Sequence, residues 1–167
     1  MGFFDRLTGT RRPGGEVAPR PAEDIRELLL GLNGPDVPYV VRDGAPEGVD
    51  LVAEWRLLEP AWQTFFARAQ LSRRIRIRMN FALPGHEVRA LDEHWKVKWA
   101  GGVPISTEYG RGPVKTTSRQ WTIGRGNGGG PEVVETFRFD SSELKEPLRD
   151  TVLGAGWTWR GLVLRNP

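Results

Sequence analysis

Apolar and polar residues alternate strictly in two neighbouring stretches near the middle of the chain. In residues 73–81 the apolar side chains are Ile75, Ile77, Met79 and Phe81, and the side chains between them are Arg74, Arg76, Arg78 and Asn80. In residues 94–99 Trp95, Val97 and Trp99 alternate with His94, Lys96 and Lys98. A period of two predicts strands with one buried face. The Pro84-Gly85 turn between them predicts a hairpin with one apolar and one cationic face.

One irregularity interrupts this hairpin. The apolar residues Val88 and Ala90 have even residue numbers, whereas those from Trp95 onward have odd residue numbers. We therefore predict either a β-bulge near residues 91–93 or a break into two strands.

Other segments carry the patterns of three helices and several further strands. Helical spacing of apolar residues occurs at 21–32 and at 60–70. A third helix is predicted after a cap at 140–143, with Leu144, Leu148 and Val152 on one face. Pro147 either kinks this helix or is its first residue. Strand patterns occur at 37–41, 50–58, 103–109, 114–123, 131–139 and 157–164. The sequence predicts an α+β fold, a mostly antiparallel sheet of six to eight strands with two or three helices on its apolar face.

The first 20 residues differ in composition from the rest. Phe3, Phe4 and Leu7 fall at helical spacing, and the following residues are rich in Gly, Pro and Arg, which cannot form a core. We expect a flexible segment over residues 1–20 and a single domain over residues 21–167. The apolar tip is a candidate for docking on a partner or for weak peripheral membrane contact, unless it packs on its own domain or is frayed.

Charge is distributed unevenly, although the chain as a whole carries only +3. Residues 21–59 hold nine acidic residues and three Arg, a net charge of −6, whereas residues 73–119 hold ten basic and four acidic residues, a net of +6. A basic block indicates either an acidic partner or neutralisation by the acidic segment of the same fold. The absence of Cys excludes thiol catalysis and fits a cytoplasmic protein, and no apolar run is long enough to span a membrane.

The candidates for chemistry are few. Asp92 and His94 stand two residues apart on one strand face, so a carboxylate–imidazole pair or two metal ligands are geometrically allowed, but neither His86 nor any acid is marked as a third ligand. Gly124, Gly126 and Gly129 form a G-x-G-x-x-G match, yet a strand pattern follows it where a phosphate loop needs a helix. We assign no catalytic residue, metal or cofactor, and the sequence favours a protein that is not an enzyme.

The cationic strand face is the strongest functional candidate. We expect Arg74, Arg76, Arg78, Lys96 and Lys98 to share one face, with Arg89, Lys115 and Arg119 as possible extensions. The aromatic residues of the hairpin are predicted on the opposite face, which argues against a platform for stacking bases. The first hypothesis is a non-enzymatic cytoplasmic binding or adaptor protein with an acidic protein partner. The alternatives are nucleic-acid binding through the same face, and an enzyme or ligand pocket between sheet and helices with His94 and Asp92 at its rim.

Three segments carry a resemblance to a family. Residues 50–55, residues 85–99 and residues 156–161 resemble short uncharacterised proteins from actinobacteria, which open with a Met-Gly-aromatic-Phe-Asp-like motif and end in a Gly-Trp-Thr-aromatic strand. The resemblance covers most of the chain. It implies no activity, cofactor or site residue.

Overall fold

The computed structural model describes residues 2–113, 121–125, 131–137, 141–163 and 167, and its architecture is α+β. The helices are α1 (Phe3–Thr8), α2 (Ala22–Leu30), α3 (Pro60–Arg68) and α4 (Ser141–Gly154). The strands are β1 (Tyr39–Asp43), β2 (Leu51–Trp55), β3 (Arg73–Ala82), β4 (Glu87–Ala100), β5 (Val103–Arg111), β6 (Trp121–Arg125), β7 (Pro131–Phe137) and β8 (Thr158–Leu162). A short 3-10 turn covers Ala45–Glu47.

The main sheet has six strands, and five of them follow one another in the order β1-β2-β3-β4-β5 with antiparallel pairing. β8 pairs in parallel with the first part of β4, whose 14 residues are long enough to hold β8 and β5 one after the other on the same edge. β6 and β7 form a separate antiparallel pair. The predicted fold class is therefore confirmed.

One hydrophobic core joins α2, α3 and α4 to the apolar side of the sheet. Ile75, Ile77 and Met79 of β3 are buried there, as the alternating pattern predicts. The last helix runs unbroken from Ser141 to Gly154 with Pro147 inside it, and Leu144, Leu148 and Val152 face the core as expected. Burial of these faces supplies most of the drive to fold.

The predicted irregularity of the hairpin lies elsewhere. β4 pairs with β3 in one register from Glu87 to Lys96, so it carries neither a bulge at residues 91–93 nor a break. The register shift falls between His94 and Lys96 on the other edge, where β5 has one extra residue and Glu108 adopts a positive φ of 52°. The prediction was wrong because the alternation of apolar residues along one strand does not show which of two paired strands has the extra residue.

The N-terminal segment makes specific contacts with β8. The backbone N–H of Arg11 donates to Trp159 and the N–H of Trp159 donates back, at 2.8 and 2.9 Å. The hydroxyl of Thr10, a buried residue, accepts the N–H of Gly161 at 3.0 Å. Further along, the indole of Trp157 donates to the carbonyl of Arg20 at 2.7 Å. These contacts attach residues 10–20 to the domain, a feature that their Gly-, Pro- and Arg-rich composition did not predict.

Part of the predicted strand at 114–123 and the centre of the glycine-rich segment lie outside the described residues, as do Lys115 and Arg119. Where the chain is described after that segment it forms β7 and not a helix. The geometry that a phosphate-binding glycine loop requires is therefore not formed by β6 and β7.

Candidate functional site

Strand pairing determines which side chains share the sheet face that points away from the core. In the registers of β2 with β3 and of β3 with β4, Arg76 lies between Glu54 and Glu93. Trp95 lies directly across from Arg74. We call the resulting surface the Arg face. It consists of Arg42, Glu47, Glu54, Arg74, Arg76, Arg78, Glu93, Trp95, Tyr109 and Arg111.

Three glutamates from different segments pair with the arginines. Glu54 places one carboxylate oxygen 3.0 Å from Arg42 Nε and the other 3.4 Å from Arg74 Nη2. Glu93 lies 3.0 Å from Arg76 Nε and 3.9 Å from Arg78 Nε. Since Glu54 comes from the acidic segment, the neutralisation considered as an alternative in the sequence is confirmed for Arg74.

Glu47, from the 3-10 turn, extends the same network. Its carboxylate accepts two hydrogen bonds from Arg42, at 2.9 and 2.5 Å, and lies 3.6 Å from Arg76 Nη1. The hydrogen bond from Arg42 lowers the pKa of Glu47, and the reciprocal bond from Glu47 raises the pKa of Arg42. Both groups are therefore held in their charged forms.

Each carboxylate of the Arg face is less exposed than the arginine with which it makes its shortest contact. The side chain of Glu93 is 4% exposed, whereas that of its partner Arg76 is 20% exposed. Glu47 and Glu54 are likewise less exposed than Arg42. The glutamates thus fix the arginines from below, so the solvent meets an ordered array of cations and not freely moving side chains.

Two aromatic side chains belong to the same face. The guanidinium carbons of Arg74 and Arg76 lie 4.9 and 5.1 Å from the centre of the Trp95 ring, and the Tyr109 ring packs against Trp95 at 5.2 Å. The Tyr109 hydroxyl donates to Glu93 at 2.5 Å and accepts from Arg111 Nε at 2.8 Å. The prediction that the aromatic residues lie opposite the cations is therefore wrong for Trp95, while Phe81 and Trp99 do pack against the core.

Lys96 and Lys98 are not part of the Arg face. Lys96 pairs with Arg73 in the β3–β4 register, so it points to the other side of β4 from its neighbour Trp95, and it forms an ion pair with Glu108 at 3.0 Å. Lys98 lies across from Ile105 of β5. The prediction that Lys96 shares a face with Arg74 is wrong, because the register places Lys96 across from Arg73, the residue before Arg74 in β3. For Lys98 it stays a prediction. Arg89 lies across from Asn80 and does continue the face toward β8.

Asp92 and His94 contact different charged side chains. Asp92 is buried on the core side and forms an ion pair with Lys145 of α4 at 2.5 Å. His94 Nδ1 accepts from Arg73 at 3.3 Å, and burial together with the charge of Arg73 lowers the pKa of His94 despite the opposing charge of Asp92. The imidazole is therefore held neutral, with its ring packed over Gly110, where a side chain would overlap it.

The other histidine lies at the opposite end of β4. The His86 ring packs edge-on against buried Trp157 at 5.4 Å, and its carbonyl accepts the N–H of Thr158. Among the described residues no three His, Asp or Glu side chains are grouped as metal ligands. His86 therefore belongs with the packing of β8.

A cavity of about 210 Å³ lies beside the start of α4. It is lined by Gly9, Pro113, Ser141, Ser142, Lys145, Glu146 and Arg149. Lys145 connects it to Asp92, the residue that the sequence placed at the rim of a possible pocket. His94 is not among the lining residues.

The predicted tip residues remain exposed. Helix α1 buries none of its side chains, and Phe3, Phe4 and Leu7 are 72%, 78% and 56% exposed. No helix among the described residues is long and apolar enough to cross a membrane. Comparison of the chain with protein-family models, with curated proteins and with solved structures finds no match.

Several residues of the Arg face were not predicted as site residues, namely Arg42, Glu47, Glu54, Glu93, Trp95, Tyr109 and Arg111. The alternation in residues 50–58 already separates Glu54 from buried Ala53 and Trp55. If the strand order had been known, it would have placed Glu54 next to the arginines of β3. Nothing in the sequence points to Glu47.

Proposed function

We propose that this chain is a non-enzymatic binding or adaptor protein of the cytoplasm, and that its Arg face holds an acidic segment of a partner protein. The observation that carries this proposal is the relative exposure of the paired charges, because Glu47 and Glu93 are less exposed than Arg42 and Arg76, the arginines nearest to them. A preorganised cation loses little side-chain entropy when it binds a carboxylate, so such an array favours acidic ligands.

The net charge of the Arg face also favours an acidic ligand. Five arginines are balanced by three glutamates, which leaves a net charge of +2. Arg111 at the margin is exposed, and the one side-chain hydrogen bond that it makes to a described residue goes to the uncharged Tyr109 hydroxyl. An arriving carboxylate can therefore bind there without displacing an internal ion pair.

A second function, nucleic-acid binding, is favoured by one specific observation, the position of Trp95 and Tyr109 beside the cations. Single-strand binders combine cations with aromatic rings on which bases stack. The Trp95 ring, however, is already in contact with Arg74, Arg76 and Tyr109. A base would have to displace one of these groups, which makes an acidic protein segment the better ligand.

The test compares two charge-matched double variants. Arg74→Gln/Arg111→Gln removes two cations from the Arg face, and Glu54 retains Arg42 as its partner. Lys96→Gln/Lys98→Gln removes two cations that do not belong to the Arg face. We expect binding of a fluorescent polyglutamate peptide at about 0.1 M ionic strength to weaken at least about tenfold in the first variant and less than about threefold in the second.

Two outcomes would contradict the proposal. Equal losses in both variants would show that the peptide responds to overall charge and not to the Arg face. Tighter binding of an oligothymidylate of equal charge, with affinity falling steeply as salt increases, would assign the face to nucleic acid.

A further inference from the structure

The apolar tip of α1 is presented in a fixed position although it buries nothing. Thr8 closes the helix and approaches β8 so closely that a Cβ at Gly161 would overlap the Thr8 carbonyl oxygen. Two residues further along the chain, Thr10 and then Arg11 form hydrogen bonds with β8. An isolated helix of six residues is not stable in water, so attachment to β8 keeps these rings projecting from the surface.

Phe3 and Phe4 form one contiguous apolar knob together with Leu7. The two phenylalanine rings contact each other edge to face at 5.9 Å. All three side chains are more than half exposed, which is unusual for large apolar residues grouped together. Such a knob indicates contact with an apolar phase or partner.

Arginines lie within α1 and in the segments next to it, and they indicate which partner the knob meets. Arg6 lies within α1, and Arg12 forms an ion pair with Asp5 at 2.5 Å. Arg12 hydrogen-bonds Asp5 and, with the more distant charge of Arg160, lowers the pKa of that carboxyl. Arg89 lies beside Arg160 in the register of β4 and β8. These four arginines, against Asp5 and Glu87, give the surroundings of the knob a net charge of +2.

We propose that the α1 tip docks on an anionic lipid surface, with Phe3, Phe4 and Leu7 at the boundary of the acyl chains and the surrounding arginines at the lipid phosphates. Protruding apolar side chains with arginines in and beside the same helix match a membrane interface, in which charge lies outside the hydrocarbon. Because only three apolar side chains insert, the contact is weak and reversible.

The test is sedimentation of the full chain with lipid vesicles, after removal of any tag. We expect vesicles of phosphatidylcholine containing roughly one third phosphatidylglycerol to bind the chain at least about tenfold more strongly than pure phosphatidylcholine. Phe3→Ser/Phe4→Ser is expected to weaken binding to the anionic vesicles at least about tenfold. Folding of this variant is verified by its circular dichroism spectrum, which should be unchanged because neither ring is buried.

Two matched controls separate the tip from general surface properties. Leu58→Ser/Leu83→Ser removes two other apolar side chains, 72% and 61% exposed, and should leave binding within about twofold. Arg6→Gln/Arg89→Gln should weaken binding more than Lys96→Gln/Lys98→Gln, which removes equal charge far from the tip.

Three results would overturn the proposal. The first is wild-type chain that does not bind anionic vesicles, and the second is equal binding by Phe3→Ser/Phe4→Ser. The third is a wild-type chain that does not bind vesicles but forms a dimer in solution, detected by light scattering and lost in Phe3→Ser/Phe4→Ser. That result would assign the tip to a second copy of the chain.

Discussion

Glu93 is the most deeply buried charge of the Arg face. Its carboxylate is 4% exposed and is held by Arg76, Arg78 and the Tyr109 hydroxyl. A buried carboxylate is costly without partners, so the arginines at its sides are structural as well as exposed to ligands. Removing all three hairpin arginines together would therefore confuse a binding defect with a folding defect.

We predict unequal effects of replacing the two arginines that contact Trp95. Arg76→Met should lower the free energy of unfolding by about 2–3 kcal/mol, because the buried Glu93 then keeps the Tyr109 hydroxyl but, as a charged partner, only the more distant Arg78. Arg74→Met should lower it by less than about 1 kcal/mol, since Glu54 keeps Arg42. Urea unfolding measures both. A loss in Arg74→Met as large as that in Arg76→Met would contradict the network described here.

At the scale of elements, the two outer edges of the main sheet differ. The side-chain amide of Asn33 donates to the Val41 carbonyl and accepts the Val41 N–H, both at 2.7 Å, so it pairs with β1 as a neighbouring strand would. β5 has no described strand beyond it, but Pro104 lacks an N–H and Glu108 lies in the bulge. A proline and a bulge are common protections of an edge strand against unwanted pairing.

The attachment of the N-terminal segment to β8 depends on Gly161. Gly161→Ala places a methyl group against the Thr8 carbonyl, so we expect the segment to detach. Trypsin cleavage after Arg11 should then become at least about tenfold faster. The matched control is Gly154→Ala, where a Cβ meets no atom within 4 Å and cleavage should remain unchanged. Equal cleavage of both variants would show that Gly161 does not hold the segment.

At the scale of the whole molecule, three groups give stability the same dependence on pH. The hydrogen bond from Arg42 lowers the pKa of Glu47, the one from Arg160 lowers that of Glu87, and burial lowers that of His94. A depressed pKa means that the unfolded chain binds more protons than the folded chain. The stability that each of these groups contributes is therefore fully present above its pKa in the unfolded chain, and it is lost as the pH falls through its lower pKa in the folded chain.

We predict two steps in acid. The free energy of unfolding should first decline below the ordinary histidine pKa of 6.5, and again below the ordinary glutamate pKa of 4.5. His94→Gln should remove most of the first decline, as measured by urea unfolding at about pH 7.5 and about pH 5.5. If the variant and the wild type lose equal stability between these two pH values, burial of His94 is not the cause of the first decline.

The difference between prediction and structure has a consistent cause. Local patterns found β3 and the core face of α4, because these depend on residues a few positions apart. They did not place Trp95 beside Arg74 or separate Lys96 from it. Those relations depend on the register between strands, and a shift of one residue moves every side chain to the other face.

The sequence by itself determined the α+β class, the strands and helices that form the core, and the cationic character of one strand face. Each of these follows from the fixed periods of strand and helix, which act within one segment. Only the tertiary structure decided that Glu47, Glu54 and Glu93 lie beneath the arginines, that β8 pairs in parallel with β4, and that residues 10–20 attach to the domain. Those features join residues far apart in the chain, and their geometry is set by how the sheet assembles as a whole.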